Sequence, residues 1–361
     1  ERLGPAAEEL LASLSRTADP DAALAGLVRL RDADGGDRLD VLLDDEGTSM
    51  RLLSVLGASQ ALTDHLVRHP DQWRELTDPH LGSTRSPAFW LRNRLLAAVE
   101  GLDRHDAADA LRVEYRRHLV RLAARDLAHG LGVDDAAAEL ADLAAGALEA
   151  ALAIARREVG EAADQVRLAV IAMGKCGGHE LNYVSDVDVV FVHEGDERVA
   201  ARLAAQLMQV CSDHTAEGTI WPVDANLRPE GKNGPLSRTL ASHQGYYERW
   251  AETWEFQALL KARPVAGDLE LGQAFVDMVS PMVWSAADRE GFVEAARAMR
   301  RRVLDHIPAR EADRQLKLGA GGLRDVEFAV QLLQLVHGRA DERIRPPTTL
   351  SALARLTDDF Y

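Results

Sequence analysis

From residue 1 to about 160, apolar residues recur at intervals of three and four. Leu10, Leu11 and Leu14 show the pattern, and so do Leu111, Tyr115, Leu119 and Leu122. That spacing lays one apolar stripe along an α-helix, and it predicts an all-helical region of six or more helices. Ser86-Pro87 reads as an N-cap followed by proline at the first helical position. His69-Pro70-Asp71 reads as a break between helices. The texture changes at Val166. Arg167 to Met173 is a short apolar run closed by Gly174, as expected of a buried strand. Asp186 to Val192 and Thr219 to Leu227 form two further runs, with a helix predicted between them from about Glu197 to Thr215. Helical patterning resumes at Ser242 and is interrupted from Leu316 to Gly322. The pattern predicts an α+β chain in three parts: a helical region over 1–160, a mixed core over 161–272 and a helical bundle over 273–361. No internal repeat or low-complexity stretch interrupts it.

The 361 residues exceed what one comfortable core usually organises, and 47% apolar with 28% charged residues is a globular composition. Lysine and arginine total 42 against 58 acids, a net charge of −16. That sign repels phosphate backbones and argues against a nucleic-acid partner, but a small phosphorylated ligand can still bind a local basic cluster. Two cysteines, Cys176 and Cys211, exclude a disulfide framework and point to a reducing, cytoplasmic setting. No apolar run approaches the roughly 20 residues of a membrane span, so no membrane association is expected. The chain opens without Met or a basic-then-apolar signal pattern and stops just after a helical pattern, so a longer natural protein is expected.

The chemistry concentrates in Ser185-Asp186-Val187-Asp188. On a strand, residues two apart leave the same face, so Asp186 and Asp188 project together while Val187 and Val189 turn inward. Adjacent carboxylates repel unless a cation joins them, and hard oxygen ligands favour Mg²⁺ or Mn²⁺. Asp224, with Asn226 and Arg228 alternating after it, adds a third acid. Three carboxylates suit two metals shared across an in-line phosphoryl displacement. The bland alternative, solvated acids on an edge strand, sits badly with the valine-rich setting, since Asp is disfavoured in strands. Upstream, Gly174-Lys175-Cys176-Gly177-Gly178 leaves the first strand as a glycine-rich turn whose amides and lysine could meet a phosphate. Alone it is weak; twelve residues before Asp186 it gains weight. Cys176 and His179 lack a second ligand pair, so no zinc site is expected there.

These pieces together resemble the glutamine synthetase adenylyltransferase family, the bifunctional adenylyl-transferring and adenylyl-removing enzymes of bacterial nitrogen control. The resemblance rests on Gly-Lys-x-Gly-Gly-x-Glu-Leu-Asn from Gly174 to Asn182, Ser-Asp-x-Asp from Ser185, and Asp-x-x-Leu-Arg-Pro from Asp224 to Pro229. It continues through Gly231 to Leu236, Trp254-Glu255, Lys261-Ala262-Arg263 and the segment Lys317 to Phe328. It implies a polymerase-β-type nucleotidyltransferase core, a small mixed sheet with helices, flanked by N-terminal and C-terminal helical bundles. Family members carry two such modules, one removing AMP from a tyrosine of glutamine synthetase and one attaching it. Gly234-Pro235-Leu236 and Arg324 resemble the removing half. That implies phosphorolysis of the AMP–tyrosine bond by inorganic phosphate to give ADP. The alternatives are adenylyl transfer from ATP to glutamine synthetase and a catalytically degenerate regulatory module. A PII-type signal protein is the implied partner of the full-length enzyme. A uridylyl-transferring relative is the weaker comparison, the Arg-Pro-x-Gly and Gly-Gly-Leu-Arg segments matching it poorly.

On this reading Asp186, Asp188 and Asp224 are catalytic and hold the metal. Gly174, Lys175, Gly177, Gly178, Ser185, Arg228, Lys261, Arg263, Lys317 and Arg324 serve nucleotide and phosphate binding. Lys317 and Arg324 flank Gly319 to Gly322, where a flexible backbone could fold over a phosphate. Trp250 and Trp254, four apart, are expected in the core. Arg297, Arg300, Arg301 and Arg302 are expected on a solvated helix face. His69, His129 and His306 show no partnering pattern.

Overall fold

The computed structural model describes residues 5–34, 45–82, 85–305, 307–308, 310 and 314–358, with backbone alone at 5–7 and 303. His306 lies outside the described residues. Two compact units divide the chain: Glu1–Ala150 with Asp213–Ile220, and Ala151–Ser212 with Trp221–Tyr361. No helix among the described residues is long and apolar enough to cross a membrane.

The first unit is helical. It contains α1 (Pro5–Leu14), α2 (Pro20–Asp34), α3 (Glu46–Ala58), α4 (Gln60–Arg68), α5 (Ala88–Val99), α6 (Arg104–His129) and the first part of α7 (Val133–Val159). Side-chain caps set several starts: Asp45 accepts from Thr48 N and Asp103 from Asp106 N. Ser59 ends α3 and also caps α4. The predicted cap at Ser86 is displaced by one residue. Pro87 itself occupies the N-cap of α5, without a side-chain bond. Leu52, Leu53, Leu56, Leu66, Leu76 and Val120 form the buried core. Two of the unassigned histidines have partners here: His129 Nε2 accepts from Arg51 Nε at 2.9 Å, and His69 Nε2 lies 3.1 Å from Glu217 Oε2.

The second unit is built on a five-stranded mixed sheet of β1 (Arg167–Ala172), β2 (Val187–Glu194), β3 (Val223–Asp224), β4 (Ser237–Thr239) and β5 (Arg263–Gly267). The order is β3-β2-β1-β5, with β4 also pairing β2. β1 runs antiparallel to β2 and β5, whereas β3 and β4 are parallel to β2. The third predicted strand, Thr219 to Leu227, shrinks to two residues. Asp224 Oδ1 accepts from Asn226 N at 2.7 Å, turning the chain out of the strand, so Asp224, Asn226 and Arg228 do not share a strand face. β4 and β5 were not predicted. β4 is short and polar, and β5 contains Pro264, tolerated because this strand lies at the edge.

Around the sheet stand the one-turn α8 (Gly174–Gly177), α9 (Glu197–Ser212), α10 (Leu240–Arg249), α11 (Thr253–Leu259), α12 (Leu269–Trp284), α13 (Phe292–Asp305), α14 (Leu323–His337) and α15 (Thr349–Asp358). Helix α9 ends three residues before the predicted Thr215. Ile171, Val190, Val192, Tyr247, Phe256, Phe275 and Leu335 are buried together. The expected tryptophan pair is not in this core. Trp250 follows α10 and is 73% exposed, while Trp254 belongs to α11. A break between the helices denies them a common face.

Candidate active site

The register of β2 and β3 assembles the carboxylates. Val187 stands opposite Val223 and Asp188 opposite Asp224 in a parallel pair, so both acids reach the same face. Asp186 immediately precedes β2, two residues from Asp188, and shares that face while Val187 and Val189 are fully buried. Carboxylate oxygens of Asp186, Asp188 and Asp224 all lie within 4.8 Å of one another. Burial, reinforced by the charges of Asp186 and Asp224, pushes the Asp188 carboxyl up to about 6, although Arg324 and Lys317 pull it down. Three hard oxygen donors repelling one another at this separation fit a divalent cation such as Mg²⁺.

A cleft of about 380 Å³ opens on Asp186 and Asp188. Gly174, Lys175, Ser185, Lys261, Lys317 and Arg324 line it, together with Asp186 and Asp188. Gly174 adopts φ +50°, and a Cβ there would meet Asp188 Oδ2 at 2.5 Å, so only glycine lets the turn lie against the acid. Burial and the neighbouring Lys317 charge hold the Lys175 ammonium below its ordinary value. Leu323 N and Arg324 N donate back to the carbonyls of Leu316 and Lys317, both at 2.9 Å. Arg300 grips the carbonyls of Leu318 and Gly319 and also Asp325. The Gly319–Gly322 segment is therefore a clamped turn that holds Lys317 and Arg324, where a flexible flap was expected. Arg300 is a structural clamp and not part of a solvated face.

Five predicted residues stand elsewhere or act differently. Gly177 N and Gly178 N donate to Met173 O and Gly174 O inside the turn, so these amides are already committed. A Cβ at Gly177 would collide with the carbonyl oxygen of Lys261, so this glycine serves close packing. Arg263 donates to Gly177 O at 3.1 Å and Cys176 O at 2.8 Å, bracing the same turn from β5. Arg228 donates to the carbonyls of Ala225, Gly234 and Pro235 and closes its own loop. Lys261 borders the cleft but is 4% exposed and ion-paired to Glu180 and Glu327 at 2.5 and 2.9 Å.

Sequence reasoning missed several lining residues: Trp254, Gln257, Met299, Phe328 and Gln331. Arg324 lies over the Phe328 ring, 5.5 Å from its centroid. Trp254 and Phe328 both stand inside motifs that carry the resemblance, which was the available signal. Gln257, Met299 and Gln331 carry none, because periodicity alone cannot separate a lining residue from a core one.

Clustered carboxylates on a small mixed sheet face basic side chains across a cleft, an arrangement that suits metal-assisted nucleotidyl transfer. The comparisons narrow this. The family model of glutamate-ammonia ligase adenylyltransferase matches residues 49–278, and the chain belongs to that family. It is 56% identical over 369 residues to the bifunctional glutamine synthetase adenylyltransferase/adenylyl-removing enzyme of Streptomyces avermitilis, covering 98% of this chain and 36% of that protein. The enzymes of the same description from Mycolicibacterium smegmatis and Mycobacterium tuberculosis are 52% and 50% identical, again across 98% of the chain and 36% of theirs. The chain thus spans about a third of the length of these relatives. Residues 297–361 match a PII-uridylyltransferase family model. That span includes Gly-Gly-Leu-Arg, so the expected poor match to uridylyl-transferring relatives does not hold for this segment.

Proposed function

We infer that this chain is the adenylyl-removing module of a bifunctional glutamine synthetase adenylyltransferase. The observation that carries the reading is Arg324. This residue distinguishes the removing half by sequence resemblance, and it lines the cleft close enough to Asp188 to act on its charge.

Inorganic phosphate would enter beside Lys175, Lys317 and Arg324, whose positive charges offset the repulsion between an anionic nucleophile and an anionic phosphodiester. An oxygen of the phosphate forms a bond to the adenylyl phosphorus as the bond to the tyrosine oxygen breaks. ADP leaves, and the tyrosine oxygen takes up a proton from water. Asp186, Asp188 and Asp224 would hold Mg²⁺ (or Mn²⁺), which supplies charge neutralisation and activation of the phosphoryl group. Positioning and charge account for the rest; no covalent enzyme intermediate is required. Glutamine synthetase is the proposed protein substrate, with phosphate, ADP and ATP as small ligands, in a cytoplasmic setting. A PII-type signal protein is the proposed regulator, a reading supported by the match of residues 297–361.

Incubation of AMP-labelled glutamine synthetase with the chain, phosphate and Mg²⁺ tests the direction. Label released as ADP, dependent on phosphate, is the expected result. No release together with incorporation from ATP would assign the attaching reaction instead.

A further inference from the structure

The helical unit holds a second group of metal-ligand atoms, separate from the carboxylates above. His65 on α4 and His69 at its C-cap stand four residues apart, so both rings leave one side of the helix. Glu217 comes from the 213–220 segment of the same unit. One ring nitrogen of each histidine and a Glu217 carboxylate oxygen lie within 4.8 Å of one another. The two ring centroids are 5.0 Å apart.

His65 supplies an independent observation. It is fully buried, and its Nε2–H donates to Gln72 Oε1 at 2.7 Å. That bond leaves the lone pair on Nδ1, which is buried without a hydrogen-bond partner. A buried acceptor with nothing to accept is unusual. A histidine whose other nitrogen donates to an amide or carboxylate oxygen is in the state that binds metals.

The carboxylate is equally well fixed. Fully buried Arg112 donates to Asp213 O at 2.6 Å and to Gly218 O at 2.7 Å. Arg116 donates to the carbonyls of Glu217 and Thr219. These bonds hold the turn that presents Glu217. Arg68 is the cation in direct contact with the carboxylate, 3.0 Å from Glu217 Oε2 and also bonded to Ala216 O, and the Arg116 charge acts on Glu217 as well. The Arg68 side chain is 39% exposed and can withdraw into water, whereas His65 is fully buried.

We propose that His65, His69 and Glu217 bind a zinc ion that ties α4 to the 213–220 turn. Two imidazoles and one carboxylate suit Zn²⁺, whereas Mg²⁺ prefers an all-oxygen shell. Water would fill the fourth position.

The test loads metal-stripped protein with Zn²⁺ in excess Mg²⁺, desalts it and counts retained zinc by mass spectrometry. About one zinc per chain is expected, in the wild type and in Asp186→Asn alike. His69→Gln and Glu217→Gln, at half-buried positions, are expected to weaken retention at least about tenfold while keeping the wild-type circular dichroism spectrum. Zinc is expected to raise the thermal midpoint of the wild type and not of those two variants. Co²⁺ in the same site is expected to give the strong visible bands of a four-coordinate nitrogen-containing shell. Failure to retain zinc overturns the proposal, and so do loss of zinc in Asp186→Asn with retention in His69→Gln, or a weak six-coordinate Co²⁺ spectrum.

Discussion

Lys261 offers the sharpest energetic prediction. Its Nζ donates to Glu180 Oε2 at 2.5 Å and Glu327 Oε1 at 2.9 Å, and Glu180 Oε1 in turn accepts from Thr349 N. At an effective dielectric of about 20, each pair is attracted by about 6 kcal/mol. Desolvation opposes this by several kcal/mol for each of the three ions, so the intact network contributes little net stability. Removing the lysine alone is different, because two carboxylates are then left together without their cation. Lys261→Met is expected to destabilise this unit by about 3–5 kcal/mol. Combining it with Glu180→Gln and Glu327→Gln removes all three charges and is expected to restore part of the loss. The sign with pH follows: burial raises the Glu327 carboxyl, and Lys261, helped by Arg324 and Lys175, more than offsets this in the wild type. Without the lysine the carboxyl protonates more readily, so the deficit shrinks as pH falls. Urea unfolding followed by hydrogen exchange on peptides of β1 and β5 reads the effect within the right unit. A midpoint near wild type for Lys261→Met, or a triple variant no better than the single one, would refute the reasoning.

Further expectations rest on separate features. Asp188→Asn and Asp224→Asn should each lower phosphate-dependent release of AMP at least about hundredfold with the fold intact, read by ADP formation and circular dichroism. Gly177→Ala drives a methyl group into the carbonyl oxygens of Lys261 and Ala172 and should cost about 1–3 kcal/mol in urea unfolding. Gly245→Ala, mid-helix in α10 with nothing within 4 Å, should instead stabilise by about 0.5–1 kcal/mol. Burial holds the His243 imidazole down to about 4 in the folded protein against an ordinary 6.5. Its stabilising effect is therefore complete above about 6.5 and is lost as pH falls towards 4, by about 3 kcal/mol in all. Stability measured against pH should lose about one proton's worth of acid slope in His243→Phe; an unchanged slope would exclude this source.

The acid pair was legible because strand periodicity and chemistry agree there: Val187 and Val189 are buried, and the residues between and before them are charged. Asp224 was legible as a residue but not as a strand. Two paired residues suffice to bring it opposite Asp188, and no propensity argument detects so short a ladder. β5 was hidden by Pro264, and Trp250 was misplaced because the break between α10 and α11 has no proline or glycine to announce it. The helical unit was read correctly in type, since long amphipathic segments carry the strongest signal. Its grouping of His69 with Glu217 spans 148 positions and leaves no local trace.

The basic residues show where sequence reasoning about a site runs out. Five cations were phosphate-binding candidates on paper, Arg228, Lys261, Arg263, Lys317 and Arg324, with Lys317 and Arg324 placed first for their position beside Gly319 to Gly322. What separates them is where their donors already point. Arg228 and Arg263 direct theirs at backbone carbonyls, and Lys261 directs its own at two glutamates. For any of these to take a phosphate, existing bonds must break and buried acceptors be stranded, which opposes ligand binding. Lys175, Lys317 and Arg324 face the cleft, and two of the three lower the pKa of Asp188. The same charges that would attract an incoming phosphate therefore also help keep the carboxylates ionised. Binding of the anion and readiness for the cation would be coupled through Lys317 and Arg324, while Arg263 and Arg228 keep the two loops in place.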